Sequence, residues 1–94
     1  MNNKVIYFHR KLSDQTVFYV GIGSVDRPYI IQGRSKIWHN TVAKHGLSIE
    51  IIETNLSADQ AKKLEIKLIK QYGRKDKLEG TLVNLTDGGD GLLN

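Results

Sequence analysis

The stretch VIYFHRKLSDQTVFYVGIG, residues 5–23, contains two apolar runs that are separated by a polar segment. Both runs are rich in Val, Ile, Phe and Tyr, which favour β-strands, and the Ser and Asp residues between them favour a turn. We therefore predict a β-hairpin whose strands are residues 5–9 and 17–23.

Each predicted strand carries one tyrosine. Because side chains alternate between the two faces of a strand, Tyr7 should share a face with His9, and Tyr19 should share one with Val17 and Gly21. If the register places Tyr7 across from Tyr19, the two hydroxyls converge at one spot on the sheet. Aromatic residues also occur in strands for packing alone, so ordinary core tyrosines are the alternative interpretation.

The composition restricts the class of protein. A chain of 94 residues is expected to form one domain with a small core, which we place over residues 1–94. Because the chain has no cysteine, disulfides and thiolate metal sites are excluded, which is compatible with a reducing compartment. We find no run near the roughly 20 apolar residues of a membrane span and no secretory signal, so we expect a soluble cytoplasmic protein with no membrane partner.

The positive charge of the chain is concentrated in its middle third. The net charge is +4, and Asp26 is the only acid between Gly21 and Ser48. A helix or loop formed by this segment would present a positive face to phosphates. Its cations and histidines are Arg27, Arg34, Lys36, His39, Lys44 and His45.

The rest of the chain predicts an α/β alternation. Apolar side chains at nearly helical spacing favour a short helix over residues 35–44, and residues 47–53 alternate as in a third strand. An amphipathic helix is predicted over residues 58–72, since Ser57 is a good N-cap and Gly73 a good C-terminal stop.

Two features allow more than one interpretation. Glu65 lies beside Leu64 at the edge of the apolar stripe of the second helix. Its carboxylate either reaches solvent and pairs with Lys62 or Lys67, or turns inward toward the tyrosines. The segment at residues 82–91 passes from apolar to glycine-rich, but its spacing does not match an EF-hand loop, so we expect a backbone role.

Taken in order, these features resemble the GIY-YIG nuclease domain. The matching positions are Tyr7 in VIY, Tyr19 in YVG, an arginine of the basic segment, Glu65 in LEIKLIKQY, and Asn84. The resemblance covers nearly the whole chain, although Val5 stands where the family has the first glycine. It implies an α/β (α+β) fold with a small three-stranded antiparallel sheet flanked by helices, and metal-dependent cleavage of DNA phosphodiester bonds.

The resemblance also implies roles for individual residues. Tyr19, more than Tyr7, would position or deprotonate the attacking water. Glu65 would hold a single divalent cation, Mg²⁺ with Mn²⁺ as the alternative. An arginine would clamp the phosphoryl group, with Arg27 as the first choice and Arg34 as the rival.

Further site residues follow from the same comparison. His39 would assist near the leaving group or lie on the helix surface. Asn84 would hydrogen-bond groups of the active site, although asparagine before a turn is also a common structural residue. The residues expected to contact DNA are Arg27, Arg34, Lys36 and Lys44.

The expected partner is DNA, held mainly through phosphate contacts. Most nucleases of this family attach a separate specificity domain, and we expect none within these 94 residues. Specificity could then come from a homodimer, from a specificity-conferring partner protein, or from recognition of DNA structure. The resemblance suggests a stand-alone endonuclease of a phage or other mobile element in a bacterial host; the alternatives are RNA cleavage and a non-catalytic nucleic-acid or protein-binding module on the same fold.

Overall fold

The computed structural model describes residues 2–88 and has the predicted fold class. Three antiparallel strands form one sheet, in which the first strand of the chain is central and the second and third lie at the edges. Within residues 2–88, no helix is long and apolar enough to cross a membrane. The elements are β1 (Lys4–Lys11), β2 (Val17–Gly23), α1 (Lys36–His45), β3 (Leu47–Leu56) and α2 (Ala58–Tyr72), with short 3₁₀-helices at Arg27–Tyr29 and Lys75–Lys77.

The predicted boundaries of β2 and α2 agree with the structure, and the others shift. β1 and β3 are longer than predicted, because their ladder runs from the pair Lys4 and Leu56 to the pair Lys11 and Leu47. Helix α1 begins one residue later than predicted. Ser35 is its N-cap, and the Ser35 hydroxyl accepts a hydrogen bond from the backbone N–H three residues on.

The hairpin register differs from the one that would set the tyrosines opposite each other. Tyr7 pairs with Gly21, and Tyr19 pairs with His9. The tyrosines are therefore diagonal neighbours, with ring centroids 6.3 Å apart. Gly21 leaves the space that the Tyr7 ring fills, since a Cβ atom at this position would lie 2.2 Å from Cζ of Tyr7.

A β-bulge in β2 changes which side chains of this strand share a face. Pairing passes from His9 with Tyr19 to Arg10 with Val17, so Phe18 is the extra residue. Because the bulge shifts the alternation by one residue, Val17 packs in the core on the α2 side of the sheet. Val17 and Tyr19 thus do not share a face, contrary to the prediction.

Both faces of the sheet are covered. On one face α1 packs through Trp38, which forms a cluster with Phe18 and Val83. Tyr7 and His9 also lie on the α1 side, whereas α2 packs against the apolar residues that alternate with them. The buried core on the α2 side consists of Ile6, Phe8, Val17, Val20, Ile22, Ala61, Ile69 and Leu82.

The outer edge of β2 is covered by the segment that follows α2. The backbone N–H of Val83 donates to the carbonyl of Phe18 at 2.7 Å. The side-chain amide of Asn84 bonds to both backbone groups of Val20, at 3.1 and 2.9 Å. Edge strands leave unpaired backbone groups, so these bonds satisfy the edge and fix residues 82–84 beside the sheet.

Candidate functional site

One cavity of about 400 Å³, which we call the site cavity, gathers most of the residues that the sequence singled out. Its wall is built from β2, the loop before α1, the start of α1, helix α2 and the segment after α2. Residues that are distant in sequence therefore meet at one place. The predicted site residues that line it are Tyr19, Arg27, Arg34, Glu65 and Asn84.

Of the two predicted tyrosines, Tyr19 lines this cavity and Tyr7 does not. Tyr19 is half-buried, lines the cavity, and stacks on His9 with ring centroids 5.5 Å apart. Tyr7 is only 1% exposed, and its hydroxyl accepts a hydrogen bond from Nη2 of Arg34 at 3.1 Å. Burial raises the pKa of Tyr7, with a smaller contribution in the same direction from Tyr19 and an opposing one from Arg34. Tyr7 therefore stays protonated at neutral pH.

Arg34 is buried and holds the loop that carries the other arginine. Its Nε donates to the carbonyl of Ile30 at 2.9 Å, and its Nη2 donates to the carbonyl of Arg27 at 2.9 Å. The guanidinium also lies over the rings of Tyr7 and Tyr19, at 5.7 and 5.2 Å from their centroids. Its Nη1 is buried and has no hydrogen-bond partner within residues 2–88.

Arg27 is more accessible than Arg34. It begins the 3₁₀-helix Arg27–Tyr29, and its side chain packs on Gly23, where a Cβ atom would lie 2.6 Å from Cγ of Arg27. Among the described residues, no hydrogen bond or ion pair engages the Arg27 guanidinium. That guanidinium can therefore bind an anion in the site cavity without breaking a hydrogen bond or ion pair to residues 2–88.

Glu65 is turned inward, which decides between the two sequence interpretations. It is 6% exposed, although it belongs to a helix with many solvated lysines. It is the only carboxylate among the described residues that line the site cavity. Its carboxyl group thus shares the cavity with Arg27 and Arg34.

The described residues fit one kind of metal site. Residues 2–88 contain no group of three His, Cys, Asp or Glu side chains that could hold a metal by protein ligands alone. Mg²⁺ commonly binds through one or two carboxylates, with waters and substrate phosphates as its other ligands. A single inward-facing carboxylate at Glu65 fits Mg²⁺ or Mn²⁺ held jointly with a phosphate, and does not fit a structural zinc site.

The other predicted residues lie at the margin of the cavity or outside it. Asn84 lines it, but its amide bonds to the backbone of β2. His39 is exposed on α1 with its ring against the edge of Trp38, at 5.0 Å between centroids, and it does not line the cavity. Lys36 and Lys44 are also exposed and outside the cavity. The last part of the glycine-rich segment, residues 89–91, falls outside the described residues.

His9, a residue without a predicted role, does not line the site cavity but contacts two residues that do, Tyr19 and Trp38. It is fully buried, and its Nδ1 accepts a hydrogen bond from Nε1 of Trp38 at 2.9 Å. Its Nε2 lies 2.8 Å from the carbonyl of Pro28. An indole N–H only donates and a carbonyl only accepts, so His9 is the neutral tautomer with its proton on Nε2. Strand alternation placed His9 beside Tyr7, but its partners lie 19 and 29 residues away in sequence and gave no local signal.

Protonation of His9 should destabilise the fold. Burial lowers the pKa of His9 from 6.5 to about 4, an effect opposed by the bond to Pro28 and reinforced by Arg34. The unfolded chain therefore binds the extra proton first as the pH falls. We expect the free energy of unfolding to be highest above pH 6.5 and to fall by about 3 kcal/mol as the pH approaches 4. Urea denaturation at a series of pH values measures this loss.

Two variants separate His9 from other titrating groups. His9→Gln should lower stability at pH 7 and flatten the dependence on pH between about 4.5 and 6.5. His39→Gln, on the surface, should leave that dependence as in the original protein. An unchanged slope in His9→Gln would contradict the assignment.

Comparison with protein-family models, with curated proteins and with solved structures finds no match for this chain. The chemistry of the site cavity is therefore what points to a function. That cavity combines a phenol, two guanidinium groups and one inward-facing carboxylate.

Proposed function

We propose that the protein is a divalent-metal-dependent DNA endonuclease of the GIY-YIG type, which hydrolyses phosphodiester bonds in the site cavity. The observation that carries this proposal is the meeting of Tyr19, Arg27 and Glu65, from three separate segments, on one cavity. Hydrolysis of a phosphodiester needs a group that orients water, a cation that binds the phosphate, and charge neutralisation at the leaving oxygen. Tyr19 would orient the water, Arg27 would bind the phosphate, and Glu65 would hold the metal ion that neutralises charge at the leaving oxygen.

The two arginines would divide their work. The Arg27 guanidinium has no other partner among the described residues, so its N–H groups are available to grip two oxygens of one phosphate. Arg34 already donates to the carbonyls of Ile30 and Arg27, and it would act as a positioning residue that holds the loop in place. This division supports Arg27 as the phosphate clamp.

Tyr19 would serve the orientation of water, and Glu65 would serve charge neutralisation at the leaving oxygen. Tyr19 would act as its phenolate, the form whose oxygen can accept a proton. That oxygen would orient the attacking water by a hydrogen bond and take its proton as the new P–O bond forms, while the P–O bond to the leaving oxygen breaks and that oxygen takes a proton from solvent. Glu65 would be the protein ligand of Mg²⁺ or Mn²⁺. When bound, such a cation neutralises charge on the phosphate and stabilises the leaving oxygen.

The same proposal specifies how DNA is held. The groups at the cavity recognise phosphate, and phosphate contacts carry no sequence information. A second copy of the chain or a partner protein would therefore supply any sequence specificity.

Incubation with supercoiled plasmid tests the activity. We expect nicked or linear DNA only when Mg²⁺ or Mn²⁺ is present, and none when EDTA is added, because charge neutralisation at the phosphate depends on the cation. A folded sample that binds the plasmid but never cuts it, with any divalent metal, would overturn the proposal in favour of a non-catalytic binding module. Cleavage of RNA but not of DNA would overturn the substrate class.

A further inference from the structure

A second depression, of about 210 Å³, adjoins the site cavity, since Val83 lines both. We call it the lysine groove, because it is lined by Lys11, Lys44 and Lys75. These lysines come from the end of β1, the last turn of α1 and the 3₁₀-helix after α2. Only Lys44 belongs to the basic segment that the sequence predicted to contact DNA.

Backbone hydrogen bonds hold the three segments of the lysine groove together. The hairpin turn is joined to the end of α1, since the N–H of Ser13 donates to the carbonyl of His45 at 3.0 Å. The backbone N–H of Lys75 donates to the carbonyl of Leu82 at 2.7 Å. Leu82 precedes Val83, which bonds to the edge of β2, so the segment of Lys75 is joined to the sheet. The lysines are therefore carried on a fixed framework, not on independent loops.

The three lysines are the charged side chains that line the groove among the described residues. No acidic residue is among the described residues that line it, and α1 carries no acid. Two carboxylates close to these lysines in the sequence have other partners: Asp14 accepts a hydrogen bond from the N–H of Thr16 at 2.9 Å, and Asp76 forms an ion pair with Arg74 at 2.6 Å. Within residues 2–88, none of the three lysines forms an ion pair, whereas Lys63 and Lys77 do. The groove thus presents three lysines that no ion pair within residues 2–88 engages.

The small volume of the groove favours a polymer that lies across it and disfavours an enclosed small molecule. Its volume is below the roughly 300–1,000 Å³ of typical small-molecule sites. Its other lining groups include the neutral side chains of Asn40 and Thr41. Converging lysines with neutral polar neighbours suit the phosphates of a nucleic-acid backbone, to which lysine binds as a point charge.

We propose that the lysine groove binds the DNA sugar–phosphate backbone next to the phosphate held in the site cavity. This inference rests on the proposed endonuclease function and extends it, since it assigns the path of the bound strand beyond the cleavage point. Lys11 and Lys75 thereby become DNA-contacting residues, together with Lys44.

The test is the salt dependence of DNA binding by the variant Lys11→Gln/Lys44→Gln/Lys75→Gln. Fluorescence anisotropy with a labelled DNA duplex, without divalent metal, measures the dissociation constant over a series of salt concentrations. Each lost phosphate contact lowers the slope of log affinity against log salt by about 1, so we expect a total decrease of about 3. At about 0.1 M salt the variant should bind at least roughly tenfold more weakly.

A control variant with the same loss of charge is Lys62→Gln/Lys63→Gln/Lys67→Gln on α2. These lysines line neither the lysine groove nor the site cavity. The control should keep its affinity within about threefold of the original protein, because its lysines make no localised phosphate contact. An equal loss in both variants, or no loss in the groove variant, would overturn the inference.

Single-turnover cleavage separates this inference from the proposed function. In the groove variant, the protein concentration that gives half the maximal cleavage rate should rise by about the same factor as the dissociation constant for DNA, because these lysines are assigned to binding and do not line the site cavity. If the original protein binds DNA through the lysines but never cleaves it, the endonuclease proposal fails and the lysine groove stands. A groove variant that binds normally but cleaves slowly would overturn the groove as a binding surface.

Discussion

Glu65→Gln should reduce metal-dependent cleavage by roughly a thousandfold or more. The amide has nearly the volume of the carboxylate, so the packing of this buried position changes little. It lacks the negative charge that a divalent cation requires, and two guanidinium groups share the same cavity. Single-turnover cleavage of plasmid DNA in Mg²⁺ and in Mn²⁺ measures the loss.

A second measurement reports on the metal directly. Mn²⁺ is paramagnetic, so it should broaden the NMR signals of residues that line the site cavity in the original protein. The Glu65→Gln variant should lose that selective broadening. Glu53→Gln, an exposed position on β3, is the matched control and should keep both properties. Cleavage by Glu65→Gln within about tenfold of the original would refute Glu65 as the metal ligand.

The parts of the fold that the sequence predicted correctly depend on local signals. Helix α2 has the predicted bounds because Ser57 and Gln60 form a capping box and Gly73 adopts a positive φ of 82° at the C-terminal end. The hairpin register depends on contacts between strands. It follows from the space left by Gly21 and from the bulge at Phe18, neither of which alters the apolar pattern.

The residues of the candidate site fall into the same two groups: some carry a local sequence signal, and others depend on contacts that only the folded chain makes. The resemblance identified Tyr19, Arg27 and Glu65 as candidate residues, because each belongs to a short recognisable stretch. Which of two arginines is accessible depends on hydrogen bonds across the loop, and the sequence left this open. The interactions of His9 could not be predicted, since both of its partners are distant in sequence. Lys75 was overlooked for a similar reason, because only the folded chain brings it beside α1.

Removal of single hydroxyls should separate the roles of the two tyrosines. Tyr19→Phe should slow cleavage by roughly 10²- to 10⁴-fold, the range for loss of a group that moves a proton in the transition state. It should change the free energy of unfolding by less than about 0.5 kcal/mol, since the side chain is half-buried at the cavity wall.

Tyr7→Phe should show the opposite pattern. Its hydroxyl is buried and accepts a hydrogen bond from Arg34, so its loss should lower the free energy of unfolding by about 1 kcal/mol. Cleavage should fall by less than about tenfold, because a buried phenol whose pKa is raised cannot act as the base at neutral pH. Nη2 of Arg34 should also keep its hydrogen bond to the carbonyl of Arg27, so the loop stays in place. Single-turnover rates and urea denaturation of both variants give the comparison. A larger loss of cleavage in Tyr7→Phe than in Tyr19→Phe would reverse the assignment, since the buried hydroxyl would then have to reach the substrate through a rearranged cavity.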